Sequence, residues 1–270
     1  MKKTFTIFGH SGFIGTHLKK KLQQHNLILP NKNDIFINKN LGNIIYCIGN
    51  DRWKTDIYNS FEANLGYIPK ILNHNKFSTF NFLSSIKVYG NVNKTNENSK
   101  LKVSLNNPNA YYMIKKICAE SIILSQKKKF KIIRLSNIYG DNFDAPLVLP
   151  TFIRDSIKLK KIYIKINQKS LKNYLNINDA INLILLIINK GKENIYNLAS
   201  GRRVSLKTIA EKIQKKTNCK IFLSNQKLII NEPKINILKI KKEFNFKESS
   251  NLLRDLDNLI LEFKKQNNYE

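Results

Sequence analysis

Three glycines at regular spacing form the first candidate binding element of the sequence. Residues 9–15 read Gly-His-Ser-Gly-Phe-Ile-Gly and lie between a strand-like apolar run and a helix-like apolar pattern. Glycines in such a turn let backbone N–H groups approach a pyrophosphate, and the N-terminus of the following helix adds partial positive charge. Three glycines are more than an ordinary strand–helix turn needs in a chain with only 10. The pattern predicts a dinucleotide site, with these cofactor-binding residues: Gly9, Ser11, Gly12, Phe13, Ile14 and Gly15.

A tyrosine and a lysine four residues apart could carry a proton transfer. Tyr112 and Lys116 have this spacing, and Tyr111 and Lys115 have it equally. Residues four apart lie on the same face of a helix. An ammonium group beside a phenol favours the phenolate and lowers the pKa of the phenol from about 10, so that the tyrosine can act as an acid/base near neutral pH. Because lysine is so common in this chain, the spacing alone does not choose between the two pairs.

Two hydroxyl groups come directly after a strand-like run. Ser84 and Ser85 follow the predicted strand over residues 78–83. In an open α/β sheet this position lies at the carboxyl edge, where ligands bind. A serine there can hydrogen-bond a substrate hydroxyl or carbonyl group, and its structural alternative is a capping or turn serine.

Strand-like and helix-like patterns alternate along the first half of the chain, which predicts an α/β fold with a doubly wound parallel sheet. The predicted strands cover residues 4–8, 27–29, 43–48, 78–83 and 131–135. The predicted helices cover residues 13–24, 57–74 and 111–125, followed in the second half by 179–189, 205–216 with Ser205 as N-cap, and 251–265.

In this order and over nearly the whole chain, the motifs resemble the extended short-chain dehydrogenase/reductase family, in its NAD-dependent epimerase/dehydratase branch. Pro108 and Glu120 fit the P-x-x-x-Y-x-x-x-K-x-x-x-E helix of that family, and this register selects Tyr112 and Lys116. Further matches are residues 84–90 (SSIKVYG), 134–140 (RLSNIYG), 172–179 (KNYLNIND) and 196–201 (YNLASG). The resemblance implies a Rossmann-like dinucleotide-binding domain over residues 1–140, to which part of 172–200 returns. Residues 141–270 would form a smaller C-terminal substrate-binding α/β region.

The resemblance also implies roles for individual residues. Tyr112 would move the proton at a sugar hydroxyl or carbonyl oxygen, Lys116 would hold the nicotinamide ribose, and Ser85 would hydrogen-bond the reacting oxygen. Asn137 and Lys172 would contact the substrate. These roles describe an NAD(P)-dependent nucleotide-sugar epimerase or 4-ketoreductase, and family members commonly form homodimers through two helices each, including the tyrosine-bearing one.

Departures from the family pattern refine this expectation. The second strand is followed by Asn31 and Lys32 where the family usually has an acid that holds the ribose of NAD, and Asp34 comes late. Because a lysine can meet the 2′-phosphate of NADP, we expect Asn31 and Lys32 to bind the cofactor, with a preference for NADP over NAD. One helix–strand unit between residues 15 and 43 is also short compared with the family.

Two other departures concern the reaction and the substrate. The Asp-Glu pair of the 4,6-dehydratases is replaced by Ile86 and Lys87, from which we expect no dehydratase activity. The R-D-Y element that grips a diphosphate begins here with Lys172, and the later R-P-x-D element reads Asn-Glu-Pro-Lys over residues 231–234. A lysine lacks the two-pronged donor geometry of arginine, so the diphosphate contacts are weakened.

Composition limits the partners. The formal net charge is +28, from 47 Lys and Arg against 19 Asp and Glu. The lysines are scattered without interleaved aromatic residues, so we interpret the charge as compositional bias and expect no nucleic-acid partner. The alternative function is a non-catalytic dinucleotide-binding protein, either redox-sensing or associated with RNA.

Cysteine and histidine spacing and hydropathy complete the expectation. Cys47, Cys118 and Cys219 have no paired spacing, which indicates reduced, buried thiols in a cytoplasmic protein. The four histidines form no metal motif, so no metal site is predicted. The longest apolar stretch, residues 183–188, is far shorter than the roughly 20 residues that span a bilayer, so no membrane segment is expected.

Overall fold

The computed structural model describes residues 2–31, 34, 39–49, 55–90, 92–227 and 229–269. The chain divides into two compact units. Unit 1 contains residues 1–92, 96–135 and 181–198, and unit 2 contains residues 93–95, 136–180 and 199–270.

Unit 1 is built on a parallel sheet whose strand order is β2-β1-β3-β4-β5-β9. Its strands are β1 (Thr4–Phe8), β2 (Asn26–Ile28), β3 (Asn43–Tyr46), β4 (Thr79–Ser85), β5 (Phe130–Leu135) and β9 (Ile195–Leu198). β1 pairs with β2 on one side and β3 on the other, so the sheet grows in opposite directions from β1. The carboxyl ends of β1 and β3 therefore form a topological switch point, which is where doubly wound sheets bind ligands. The predicted Rossmann-like fold class is confirmed.

Helices accompany these strands. They are α1 (Phe13–Lys21), α2 (Ile57–Phe61), α3 (Tyr67–His74), α4 (Ala110–Leu124) and α6 (Ile177–Lys190), the last of which belongs to unit 1 from residue 181 onward. The helix predicted over 57–74 is found as α2, a π-helical turn over Glu62–Gly66, and α3. Asp56 caps α2 by accepting a hydrogen bond from the backbone of Asn59.

The core of unit 1 forms around strands that are buried along most of their length. The centre of the Tyr46 ring lies 5.9 Å from that of Phe80 and 6.1 Å from that of Phe82, and all three residues are fully buried. They pack against apolar side chains of α3 and α4 in one cluster, which includes Ile68, Ile71, Leu72, Ala119 and Ile123. Burial on this inner face fixes how α4 lies on the sheet.

Unit 2 contains short strands that the sequence patterns did not predict. A three-stranded sheet has the order β10-β8-β6, and a two-stranded sheet pairs β11 with β7. The elements are β6 (Asn137–Tyr139), α5 (Val148–Lys158), β7 (Lys161–Ile164), β8 (Leu171–Asn176), β10 (Arg203–Ser205), α7 (Leu206–Thr217), β11 (Lys220–Leu223), α8 (Leu238–Phe244) and α9 (Leu252–Gln266). The helices α5, α7 and α9 enclose an apolar core that includes Phe152, Ile213, Leu256 and Phe263.

The predicted start of α7 matches the structure. Ser205 is its N-cap and accepts a hydrogen bond from the backbone N–H of Thr208 at 3.0 Å. α1 ends at Lys21, earlier than the predicted residue 24, although Leu22 remains buried beyond the helix. An apolar pattern records burial and can therefore continue past the point where the backbone leaves the helix.

The expectation of buried thiols is wrong for one cysteine. Cys219 is buried and Cys47 is partly buried, but Cys118 is exposed. Cys118 lies four residues after the exposed Ile114 on α4, whereas the next residue, Ala119, faces the core. Among the described residues, no helix is both long and apolar enough to span a bilayer.

Candidate active site

The glycine turn after β1 has the backbone geometry that its composition predicts. Gly9 has φ +85°, in the left-handed region that favours glycine. A Cβ at this position would lie 3.0 Å from the carbonyl carbon of Cys47 and from the nitrogen of Ile48. The glycine therefore lets the end of β1 approach the chain that follows β3, at the switch point.

The other two glycines, Gly12 and Gly15, have different structural roles. A Cβ at Gly15 would overlap the Gly9 carbonyl oxygen and lie 2.7 Å from the Cα of His10, so α1 can pack on the turn only with glycine there. Gly12 is the N-cap of α1, and in the part of the chain that the structure describes a Cβ there would meet the Gly9 oxygen alone, at 3.4 Å. Space next to Gly12 is thus open on the side where a ligand could approach.

The N-terminus of α1 suits an anion. Its first turn contains no acidic residue, no side chain caps it, and its last turn carries the basic run Lys19 to Lys21. Unsatisfied N–H groups and the helix dipole attract phosphate at such a terminus. Ser11 and Gly12 are exposed here, and Phe13 and Ile14 are partly buried.

The turn after β2 brings an acid back toward the strand. The backbone N–H of Asn31 donates to the Asp34 carboxylate at 2.8 Å, and the Asp34 N–H donates to the Asn31 carbonyl at 3.2 Å. Asp34 therefore lies beside Asn31 although it comes three residues later. Lys32 lies outside the described residues, so its predicted cofactor contact remains a prediction.

Lys116 reaches the carboxyl end of β4 from α4. Its ammonium group donates to the Leu83 carbonyl at 3.3 Å and lies 4.9 Å from the centre of the Phe82 ring. The side chain is 4% exposed. Leu83 comes two residues before Ser85, so the structure brings Lys116 and this serine to the same strand end.

Positive charge surrounds Tyr112, which is partly buried. The ammonium groups of Lys87 and Lys115 lie 5.0 and 5.1 Å from the centre of its ring. Lys115 is 1% exposed, donates to the Ser60 hydroxyl at 3.2 Å, and also lies 5.4 Å from the Tyr111 ring. In the sequence, Lys115 is only the second lysine that fits the tyrosine–lysine spacing, and no pattern there indicates that it is buried.

Ser85 is the N-cap of the short 3₁₀ turn Ile86–Tyr89. Its hydroxyl oxygen accepts a hydrogen bond from the backbone N–H of Lys87 at 3.2 Å, and the residue is 8% exposed. The capping role considered as the alternative is therefore present. A hydroxyl that accepts at one lone pair can still donate its proton, so capping and substrate contact are compatible.

A buried polar network, which the sequence reasoning missed, fixes α4 on the sheet. The Glu120 carboxylate accepts from the Ser84 hydroxyl at 2.5 Å and from the Arg134 guanidinium at 2.7 to 3.2 Å. Arg134 also donates to the Tyr89 hydroxyl at 2.9 Å. Burial raises the pKa of Tyr89 despite this cation, so the phenol stays neutral and donates to the Asn197 amide oxygen at 2.8 Å. Glu120 and Arg134 were visible in the sequence only as motif positions.

Asn137 and Lys172, the predicted substrate residues of unit 2, meet at a buried carboxylate. Glu232 accepts hydrogen bonds from the Asn137 amide at 2.9 and 3.0 Å and from the Lys172 ammonium at 3.3 Å. It also accepts from the Asn173 backbone N–H at 2.8 Å. Glu232 is 8% exposed and lies 95 residues after Asn137, which is why no local pattern revealed it.

The described residues contain no group of three or more His, Cys, Asp and Glu side chains that could hold a metal ion. Near the glycine turn, the Cys47 thiol donates to the Phe8 carbonyl at 2.9 Å. Burial raises the pKa of this thiol to about 12. It is therefore a neutral packing group at the switch point.

The chain is similar to a known family and to known proteins. The family model described as "NAD dependent epimerase/dehydratase family" matches residues 43–199. A curated relative from Dictyostelium discoideum, named dTDP-D-glucose 4,6-dehydratase, is 29% identical over 263 residues, covering 77% of this chain and 60% of the relative. A human protein of the same name is 30% identical over 155 residues, covering 54% of this chain and 43% of the relative. The chain thus spans about 60% or less of the length of these relatives.

Solved structures share the fold at low sequence identity. MoeE5 in complex with UDP-glucose and NAD superposes with a TM-score of 0.80 at 15% identity, covering 97% of this chain and 99% of MoeE5. RMD from Pseudomonas aeruginosa complexed with NADPH superposes with a TM-score of 0.78 at 16% identity, covering 98% of this chain and 100% of RMD. Sugar-nucleotide enzymes are therefore among the structural neighbours of this chain.

These comparisons correct one expectation. The replacement of the Asp-Glu pair by Ile86 and Lys87 led us to expect no 4,6-dehydratase activity. The curated relatives carry the name dTDP-D-glucose 4,6-dehydratase, which contradicts that exclusion. Absence of one residue pair at one strand end is too local an observation to exclude a reaction class.

Proposed function

The chain belongs to the NAD-dependent epimerase/dehydratase family, and we propose that it transfers hydride between a nicotinamide dinucleotide and a sugar carbon of a nucleotide sugar. We propose an epimerase or a 4-ketoreductase as the specific activity. The observation that carries this proposal is the position of the Lys116 ammonium. It is buried and held 3.3 Å from the Leu83 carbonyl, two residues before Ser85 on β4, and Lys116 lies on the same helix as Tyr112.

The residues at the switch point fit a dinucleotide. Gly12 leaves space in front of an uncapped helix terminus, and Gly9 and Gly15 allow the tight turn behind it. When bound there, the nicotinamide would accept or supply the hydride. The backbone N–H groups at the start of α1 would bind the pyrophosphate, and Lys116 would hydrogen-bond the nicotinamide ribose.

Tyr112 would exchange the proton at the sugar oxygen whose carbon loses or gains hydride. Lys87 and Lys115 place two ammonium groups about 5 Å from its ring, and positive charge stabilises a phenolate. Ser85 would donate its hydroxyl proton to the same sugar oxygen while its lone pair remains engaged with the Lys87 backbone. Proton and hydride then leave or enter on one carbon–oxygen unit, as oxidation and reduction of an alcohol require.

Dehydration is the second candidate function, and the names of the curated relatives favour it. A 4,6-dehydratase begins with the same step, oxidation of a sugar alcohol by hydride transfer. The residues proposed for that step are therefore unchanged, and the three activities differ in what happens to the oxidised sugar.

The test begins with the nucleotide that copurifies with the protein, identified by mass. Tightly retained NAD supports an enzyme that recycles its hydride, as epimerases and dehydratases do, and loosely bound NADPH supports a reductase. Incubation with UDP- and dTDP-hexoses followed by product analysis by NMR then separates inversion, reduction and loss of water. No dinucleotide binding would overturn the proposal, and binding without turnover of any nucleotide sugar would favour the non-catalytic alternative.

Cofactor preference is a further part of the proposal. We propose a preference for NADP, because Lys32 follows β2 where an acid would favour NAD. Titration with both dinucleotides measures the preference, with Lys32→Ala expected to weaken NADP binding and leave NAD binding unchanged. A tenfold preference of the wild type for NAD, about 1.4 kcal/mol, would contradict it.

A further inference from the structure

Glu232 in unit 2 is a buried carboxylate at a position where the family pattern has a cation. By its place before Pro233, it stands where the R-P-x-D pattern has an arginine, so a carboxylate replaces a cation. This carboxylate is 8% exposed. A buried carboxylate persists only when donors surround it, and Glu232 has donors on three residues that precede it by 59 to 95 positions.

Asn173 is matched to this carboxylate. Its side-chain amide donates to Glu232 at 3.3 Å and to the Pro233 carbonyl at 3.1 Å. The aspartate of an R-D-Y element at this position would set two carboxylates against each other. The amide oxygen of Asn173 is buried with no hydrogen-bond partner among the described residues, and an unsatisfied buried acceptor lowers the stability of the fold. Because Asn173 is an amide and not a carboxylate, it can donate to Glu232 without charge repulsion. In this sense the two departures from the family pattern compensate for each other.

The network fixes the orientation of the Asn137 side chain. Its amide nitrogen donates to the Asn173 carbonyl at 2.7 Å and to both Glu232 carboxylate oxygens at 2.9 and 3.0 Å. A flipped amide would place its oxygen against these three acceptors. Both N–H donors are thus consumed, and only the amide oxygen remains to meet a ligand.

The same carboxylate cancels the charge of Lys172. Their charged atoms lie 3.3 Å apart, and the side chains are 18% and 10% exposed, so solvent screens the pair only in part. Arg203 also approaches, but its guanidinium donates to the Glu232 main-chain carbonyl at 3.0 Å and leaves the carboxylate to Lys172. The cluster formed by Asn137, Lys172 and Glu232 has a net charge of about zero and offers an acceptor oxygen.

We propose that Glu232 is a positioning and specificity-determining residue that makes this cluster a site for sugar hydroxyl groups and not for the diphosphate of the substrate. Hydroxyl groups can donate to the Asn137 oxygen, whereas a phosphate offers only acceptors. A phosphate would also have to compete with the Glu232 carboxylate for Lys172. This inference rests on the proposed function, because it assigns part of a nucleotide sugar to the cluster.

The test measures the dissociation constant of UDP, a nucleoside diphosphate that lacks the hexose of a nucleotide sugar, by calorimetry at about 0.15 M salt. Lys172→Met should weaken UDP binding by about fivefold to tenfold, because it leaves the Glu232 carboxylate without its counter-charge. Glu232→Gln should tighten UDP binding by about fivefold to tenfold, since it frees that charge. The double variant Glu232→Gln/Lys172→Met should lose this gain.

A matched control is Glu211→Gln, which removes an exposed carboxylate 3.7 Å from Lys207 in the same unit and should leave UDP affinity unchanged. UDP binding that Glu232→Gln leaves unchanged or weakens, at an unchanged melting temperature, would overturn the inference. A loss of about tenfold relative to the wild type in the double variant would do so independently, even if the single Glu232 variant does not fold, because the double variant leaves no unpaired buried charge. Failure of the proposed function would appear separately, as absent dinucleotide binding or hydride transfer.

Discussion

At the residue scale, the proton transfer depends on which of two adjacent tyrosines faces the nicotinamide. Tyr111 and Tyr112 point about 100° apart on α4, so only one of them can do so. Both are partly buried, and Lys115 lies within 5.4 Å of both rings. The register set by Pro108 and Glu120 selects Tyr112, whose ring also has Lys87 at 5.0 Å.

We therefore predict that Tyr112→Phe loses about 10²–10⁴-fold in rate, the usual contribution of a positioned acid/base. Tyr111→Phe is the matched control and should keep most of the activity. The measurement is nicotinamide absorbance in a single turnover with the substrate that the product screen identifies. An inactive Tyr111→Phe beside an active Tyr112→Phe would mean that the register is wrong by one residue.

The Glu120–Arg134 pair makes a prediction about stability. Both side chains are at most 4% exposed, so a variant without the carboxylate leaves the guanidinium buried without its counter-charge. Glu120→Ala should lower the free energy of unfolding by about 3–5 kcal/mol, as measured by urea denaturation. Glu211→Ala, which removes an exposed partner of Lys207, should cost no more than about 0.5 kcal/mol. Equal losses in the two variants would show that the buried network does not anchor α4.

At the scale of elements, two glycines of the turn after β1 should affect different properties: Gly12 cofactor binding, and Gly15 the stability of the fold. Gly12→Val should abolish dinucleotide binding while the protein stays folded, because the new side chain fills ligand space and its Cβ meets, among the described residues, only the Gly9 oxygen, at 3.4 Å. Gly15→Ala should instead destabilise the fold, since its Cβ would overlap the Gly9 carbonyl. Titration with NAD and NADPH, beside thermal unfolding, measures both effects. Full cofactor affinity in folded Gly12→Val would contradict the site.

Most elements of unit 1 could be predicted because they leave a pattern in consecutive residues. β1 ends at Phe8 as predicted, and α4 differs from its predicted range by one residue at each end. The β7 and β11 strands of unit 2 left no such signal. Both are only four residues long. β7 alternates only briefly, with the exposed Tyr163 between the buried Ile162 and Ile164, and β11 has no buried residue.

The contacts at the candidate site could likewise be predicted only where they join residues that are close in sequence. The glycine turn could be predicted, since its function depends on residues within one turn. The Glu232 cluster could not, because its donors are supplied by β6 and β8, and side-chain hydrogen bonds across 59 to 95 residues have no local signature. The R-P-x-D motif shows that the arginine is missing at position 232, but only the structure shows that the Glu232 carboxylate has hydrogen-bond donors.

At the scale of the whole molecule, the charge of +28 opposes self-association, whereas exposed apolar side chains favour it. Unit 1 presents Ile57, Tyr58 and Phe61 on α2 and Ile114 and Leu124 on α4, each at least 42% exposed. The hydrogen bond between Lys115 and Ser60 ties these two helices together. The family resemblance implies pairing through the tyrosine-bearing helix, so we predict a homodimer in which α2 and α4 meet the same helices of a second copy.

The homodimer can be tested by light scattering at about 50 µM protein, where a dimer should have twice the mass of the chain. Ile114→Asp should give a monomer, because dimerisation would bury an unpaired carboxylate. Leu261→Asp changes a side chain that is 55% exposed on α9 in unit 2, and it should remain a dimer. Cys118, exposed four residues after Ile114, supplies a second measurement. Its alkylation by iodoacetamide should be slower in the wild type than in Ile114→Asp, because the second copy would cover it. A wild-type monomer with freely reactive Cys118 would show that the apolar face serves something other than a second copy.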